Sequence, residues 1–155
     1  MRILAAAWLL AAAAVVAVGP SQPIAYSHKL HAGDYRIDCL YCHSGARRAA
    51  VAGIPSVEFC MGCHRQVAIT RPEIARLRGY WEGRRPIRWT RIVKEPDYVF
   101  FNHLPHVAKG LRCQECHGPV ETMVEMRLDH SLNMDRCVGC HRERQAPIDC
   151  YICHR

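Results

Sequence analysis

Cys39-Leu40-Tyr41-Cys42-His43 sets the reading of the whole chain, because its pattern returns as Cys60-Met61-Gly62-Cys63-His64, Cys113-Gln114-Glu115-Cys116-His117, Cys137-Val138-Gly139-Cys140-His141 and Cys150-Tyr151-Ile152-Cys153-His154. These five copies of C-x-x-C-H consume all 10 cysteines. Two cysteines one helical turn apart can both reach the vinyl groups of one porphyrin as thioethers, while the adjacent histidine turns under the ring to ligate iron. This is the attachment signature of c-type haem. Zinc ribbons and thioredoxin-like sites also use C-x-x-C, but neither requires that histidine, and zinc pairs such motifs whereas five is odd. The pattern predicts five covalently bound c-type haems, attached through Cys39, Cys42, Cys60, Cys63, Cys113, Cys116, Cys137, Cys140, Cys150 and Cys153, with His43, His64, His117, His141 and His154 as iron ligands.

Five further histidines remain from the total of 10: His28, His31, His103, His106 and His130. Five haems need five sixth ligands, and imidazole is a common one. Four of these histidines form H-x-x-H pairs just upstream of attachment motifs, a spacing that lets one short segment serve two haems. His130 is the natural ligand for the remaining haem. Met134 lies one helical turn away, and thioether is the other common sixth ligand, so both stay open.

The arm Tyr26-Ser27-His28-Lys29-Leu30-His31 before Cys39 returns as Phe101-Asn102-His103-Leu104-Pro105-His106 before Cys113. Each arm is followed by two attachment motifs, which gives two diverged modules, 20–64 with two haems and 101–155 with three. Between them, residues 65–100 carry no haem signal. There, Thr70-Arg71-Pro72-Glu73 can cap a helix with Ile74, Leu77 and Trp81 on one face before Gly83, and Ile87 to Val93 alternates as a half-buried strand does. Eight arginines fall between Arg65 and Arg91. Haem propionates are the expected counterions, with a docking face for a protein or anionic lipid as the rival. Aromatics do not alternate with the basic residues as a stacking platform would, so nucleic acid is not an expected partner.

Residues 1–19 read as a signal peptide or an N-terminal membrane anchor: Arg2 precedes an apolar run from Ile3 to Gly19. That run sits at the lower edge of the roughly 17–25 residues that span a bilayer. Cleavage after Gly19 would leave Pro20 first, a poor context, so retention and removal both stay open. Either way the remainder lies on the periplasmic side of the bacterial cytoplasmic membrane. The formal charge of the 155-residue chain is +7. Five haems with ionised propionates would bring it to roughly +2 oxidised and −3 reduced.

With 8% aromatic residues and about 27 residues of exported chain per haem, the haems must supply much of the core themselves and lie close together. The expected fold is a mostly irregular and α multihaem cytochrome c. Short helices and loops wrap on five haems, with at most a small sheet in the 84–100 region. Two axial ligands on each iron leave no place for a substrate, so one-electron relay is expected and catalysis is not.

Gln22-Pro23-Ile24-Ala25-Tyr26-Ser27-His28-Lys29-Leu30-His31, Val51-Ala52-Gly53-Ile54-Pro55, Arg85-Pro86-Ile87-Arg88-Trp89, Pro96 to His103 and Cys116-His117-Gly118 resemble the pentahaem cytochrome c subunit of alternative complex III, a quinol:electron-acceptor oxidoreductase. The resemblance covers nearly all of the chain after Gln22, including the segment without haem ligands. It implies a single N-terminal anchor, a periplasmic haem domain, and assembly with an iron–sulfur/molybdopterin-type subunit and polytopic quinol-binding subunits. Electrons would pass from quinol through the haems to a monohaem cytochrome c or a terminal oxidase. The alternative is a free periplasmic multihaem electron carrier.

Overall fold

The computed structural model describes residues 19–154, so the anchor or signal expected over 1–19 lies, apart from Gly19, outside the described residues. No helix among the described residues is long and apolar enough to cross a membrane. Seven short α-helices follow one another among these residues: α1 (Cys39–Cys42), α2 (Val57–His64), α3 (Pro72–Glu82), α4 (His103–Ala108), α5 (Gln114–His117), α6 (Met134–Glu143) and α7 (Cys150–Cys153). Five of them, α1, α2, α5, α6 and α7, hold the attachment motifs, so each cysteine pair is wound into a single turn.

Polar caps start α1, α2, α4 and α6, where the sequence is too short to nucleate a helix alone. Asp38 accepts from Leu40 N at 2.7 Å, Ser56 from Phe59 N at 3.2 Å, Asn102 from Leu104 N at 3.0 Å and Asn133 from Arg136 N at 3.1 Å. In the insertion, α3 forms over the expected stretch, with Pro72 at its first turn and Gly83 ending it, but Arg71 rather than Thr70 holds the cap position. Ile74 and Leu77 are buried as expected, whereas Trp81 lies at the surface with the Arg65 guanidinium 5.4 Å above its ring.

The alternation over Ile87–Val93 produces no strand. Ile87 and Trp89 do turn inwards while Arg88, Thr90 and Arg91 face solvent, but the backbone partner is a side chain. The Gln22 amide accepts from Thr90 N and donates to Thr90 O, both at 2.9 Å. That pairing mimics a neighbouring strand, so the period of two survives without a sheet. The region's single bridge is antiparallel, between Val99 and His154.

Few side chains are buried. Among the described residues these are Ile24, Met61, Ile74 and Leu77, which form one cluster under α2 and α3, with Ala46 and Met123 elsewhere. Eighteen large apolar residues are exposed, among them Tyr35, Val51, Tyr98, Val124 and Tyr151. A chain of this length ordinarily hides most such side chains. Their exposure suits a chain wrapped on apolar groups that it does not itself supply.

Candidate metal centres

The first arm is a wide turn, Lys29–Asp34, closed by Tyr35 N on Leu30 O at 3.0 Å, five residues back. It projects its two histidines towards two different attachment motifs. The rings of His28 and His43 lie 6.5 Å apart between centroids with planes 13° from parallel, and those of His31 and His64 lie 6.0 Å apart at 71°. The second arm, α4, repeats this. His103 faces His117 at 6.3 Å and 4°, and His106 faces His141 at 5.9 Å and 45°. Two imidazoles bound trans to one ion through ~2.0–2.1 Å metal–nitrogen bonds would place their centroids roughly 6.3 Å apart. Each of the four pairs therefore leaves a gap that a haem iron held by both rings would fill.

Hydrogen bonds set the tautomer needed for ligation. Carbonyl oxygens only accept, so a ring nitrogen bonded to one must carry the proton, which leaves the other nitrogen's lone pair free for metal. The Nδ1 atoms of His31, His43, His64, His103, His106 and His141 donate in this way to the carbonyls of Ser27, Gly53, Val67, Ala50, Asn102 and Pro147. In the His31 and His106 sites the acceptor lies four residues back in the arm itself. His28 has no such partner, and its Nδ1 is buried and unpaired. Burial, reinforced by repulsion from His43 and then His31, pushes His28 down to about 4, so it stays neutral. Burial likewise lowers His117, ahead of repulsion from His103 and His43.

An aromatic side chain backs each arm. Tyr26 stacks on His31 at 4.5 Å and meets His28 edge-on at 4.9 Å, while Phe101 meets His106 at 4.7 Å and His103 edge-on at 4.8 Å. Burial raises the Tyr26 phenol to about 12, ahead of smaller contributions from Cys42 and Cys60, so it stays neutral. The repeat places these rings at matching positions, but their role as supports, and the carbonyl tethers, were not read from the sequence.

The fifth motif differs. Among ring contacts of the described residues none joins His154 to His130; the ring beside His154 is Tyr98, 5.7 Å away. His130 lies within electrostatic range of His117, and its Nε2 is buried without a partner. Met134 opens α6 and is 66% exposed.

No group of three or more His, Cys, Asp or Glu side chains among the described residues converges on one point, as a zinc site would require. A haem iron needs only two protein ligands, and the paired rings with free Nε2 atoms beside single-turn cysteine pairs meet that demand.

Comparison with known proteins agrees. Residues 99–155 match the family of cytochrome c7 and related cytochromes c. The chain is also similar to the multihaem cytochrome c subunit of menaquinone reductase from Nitratidesulfovibrio vulgaris (strain Hildenborough), 29% identical over 163 residues that cover 86% of this chain and 77% of the relative. The C-terminal part is thus cytochrome c7-like, and with the likeness to a multihaem cytochrome subunit this supports covalently bound c-type haem and electron transfer rather than turnover of a substrate.

Proposed function

We propose that the chain is a pentahaem relay on the periplasmic side of the membrane, moving electrons one at a time between a quinone-reacting membrane complex and a periplasmic partner. The observation that carries this reading is the set of four histidine pairs with centroids 5.9–6.5 Å apart, each beside its own attachment motif. Bound haem supplies one-electron iron chemistry there. The protein's part would be to offer each iron two imidazoles, positioned by carbonyl tethers and backed by Tyr26 and Phe101, so that no position is left for a substrate.

In this reading Cys39/Cys42 with His43 and His28 hold the first haem, Cys60/Cys63 with His64 and His31 the second, Cys113/Cys116 with His117 and His103 the third, and Cys137/Cys140 with His141 and His106 the fourth. The fifth haem is held by Cys150/Cys153 with His154. Its sixth ligand is His130, whose buried Nε2 lacks a partner, in preference to the exposed Met134. His130→Ala is expected to give one high-spin ferric signal by electron paramagnetic resonance (EPR), and Met134→Ala none; the reverse result assigns Met134.

The resemblance to alternative complex III gives partners of iron–sulfur/molybdopterin and polytopic quinol-binding type, and flow from quinol to a monohaem cytochrome c or terminal oxidase. The relative's name, a menaquinone reductase, supports a second reading with flow towards the quinone. A haem-stained native gel of mildly solubilised membranes, with bands identified by mass spectrometry, tests the assembly. Haem in a large band with such subunits is expected, and haem running alone would leave the free periplasmic carrier. Reduction of the isolated assembly by menaquinol, against its oxidation by menaquinone, decides the direction.

A further inference from the structure

The motifs approach one another in an order different from their order in the chain. His28 and His31 stand on one turn and face His43 and His64, so the first and second motifs are neighbours; Tyr41 of the first also packs on Phe59 of the second, 5.0 Å away. The second thiols of these motifs, Cys42 and Cys63, lie within electrostatic range of one another. The other module repeats this relation. His103 and His106 on α4 face His117 and His141, Cys116 lies near Cys140, and Arg136 of the fourth motif donates to Glu115 O of the third at 2.8 Å.

Contact between the modules is made at their first motifs. The thiols of Cys39 and Cys113, the leading cysteines of each, lie close enough to act on one another electrostatically, as do His43 and His117. Ala50 O, in the loop after the first motif, accepts both His103 N at 3.1 Å and His103 Nδ1 at 2.7 Å. The fifth motif joins beside the fourth, where Cys153 lies near Cys137, and is held there by Phe100 N donating to Cys153 O at 2.7 Å and by the Val99–His154 bridge. Among the described residues no hydrogen bond or ring contact links the second motif to the third, fourth or fifth, or the fifth to the first.

We infer that the attachment motifs form one unbranched row in the order second, first, third, fourth, fifth: two modules joined back to back at their leading motifs, with the fifth appended at one end. This rests on the five-haem reading above. Partners that deliver and remove electrons then meet the row at its two ends. One end is α2, packed against α3 of the arginine-bearing segment 65–100, the other the C-terminal turn beside Tyr98 and the exposed Tyr151.

The test uses the holoprotein purified from membranes. Its intact mass counts the haems, and fewer than five overturns the five-haem reading and the row with it. Iron positions located by anomalous scattering from crystals of the same preparation then give the order. Nearest-neighbour irons are expected for motifs two and one, one and three, three and four, and four and five, with two and five farthest apart. Five irons with the second motif beside the third, or the fifth beside the first, overturn the row and leave the five-haem reading standing.

Discussion

The loop after the first attachment motif and the loop after the third occupy matching places in the repeat and do different work. Residues 50–53 turn two carbonyls inwards, Gly53 O to His43 of their own module and Ala50 O to His103 of the other. The loop after the third motif offers no such tether to His117 or His28. One loop thus orients a ring in both of the sites at the module junction, and each of those sites has one tethered ring and one half-buried, untethered ring. The two flanking sites have both rings tethered. Ring planes divide in the same way, with 13° and 4° at the junction against 71° and 45° in the flanking sites. Position relative to the junction, more than the motif sequence, governs how each iron would be held.

Removing a ligand tests the division most severely. His28→Ala and His106→Ala should each convert one low-spin ferric haem per molecule to a high-spin, carbon monoxide-binding one. EPR spectra should lose a signal of the near-parallel class for His28→Ala and of the crossed class for His106→Ala. A wholly low-spin His28→Ala protein would break the pairing with His43.

Among the matched positions at which the arms differ are Gly33 in the first and Ala108 in the second. A Cβ at Gly33 would overlap the Glu121 carbonyl oxygen, because the first arm packs directly on the turn Val120–Thr122. Gly33→Ala should destabilise the holoprotein by about 1–3 kcal/mol. Ala108→Gly should cost only about 0.5–1 kcal/mol. Thermal melts of the two variants measure the difference.

Tethered imidazoles are stronger donors and favour ferric iron, so the flanking haems should titrate below the two at the junction. A tenfold preference corresponds to ~60 mV for a one-electron couple. Redox titration followed by EPR, which separates the two classes, reads the order. A comparably small effect is expected at the cap of the second arm: Asn102→Ala removes the acceptor for Leu104 N and should cost about 1 kcal/mol in chemical denaturation.

Much of the site is legible in the sequence, since C-x-x-C-H and H-x-x-H name every ring that the structure pairs. The helix over 72–82 is legible too, from Pro72, Ile74, Leu77 and Gly83. What escapes is non-local. The strand expected over 87–93 fails because its partner is Gln22, 68 residues away, supplying one amide in place of a backbone. The tethers of His43, His103 and His141 end on backbone carbonyls, which no side chain marks. His130 illustrates the limit of counting: five histidines for five sites is good arithmetic, yet the ring beside His154 is that of Tyr98, and His130 acts electrostatically on His117.

The shortage of buried side chains also bears on how the protein is made. With one cluster built on Ile24, Met61, Ile74 and Leu77 under α2 and α3, the polypeptide has little to collapse around before its cofactors arrive. The newly exported chain is therefore an open substrate, with every cysteine pair accessible to the apparatus that attaches haem. Each attachment adds apolar surface on which the next segment can close. Folding would then follow maturation, and a cell starved of haem should accumulate no compact apoprotein, only chain exposed to proteases.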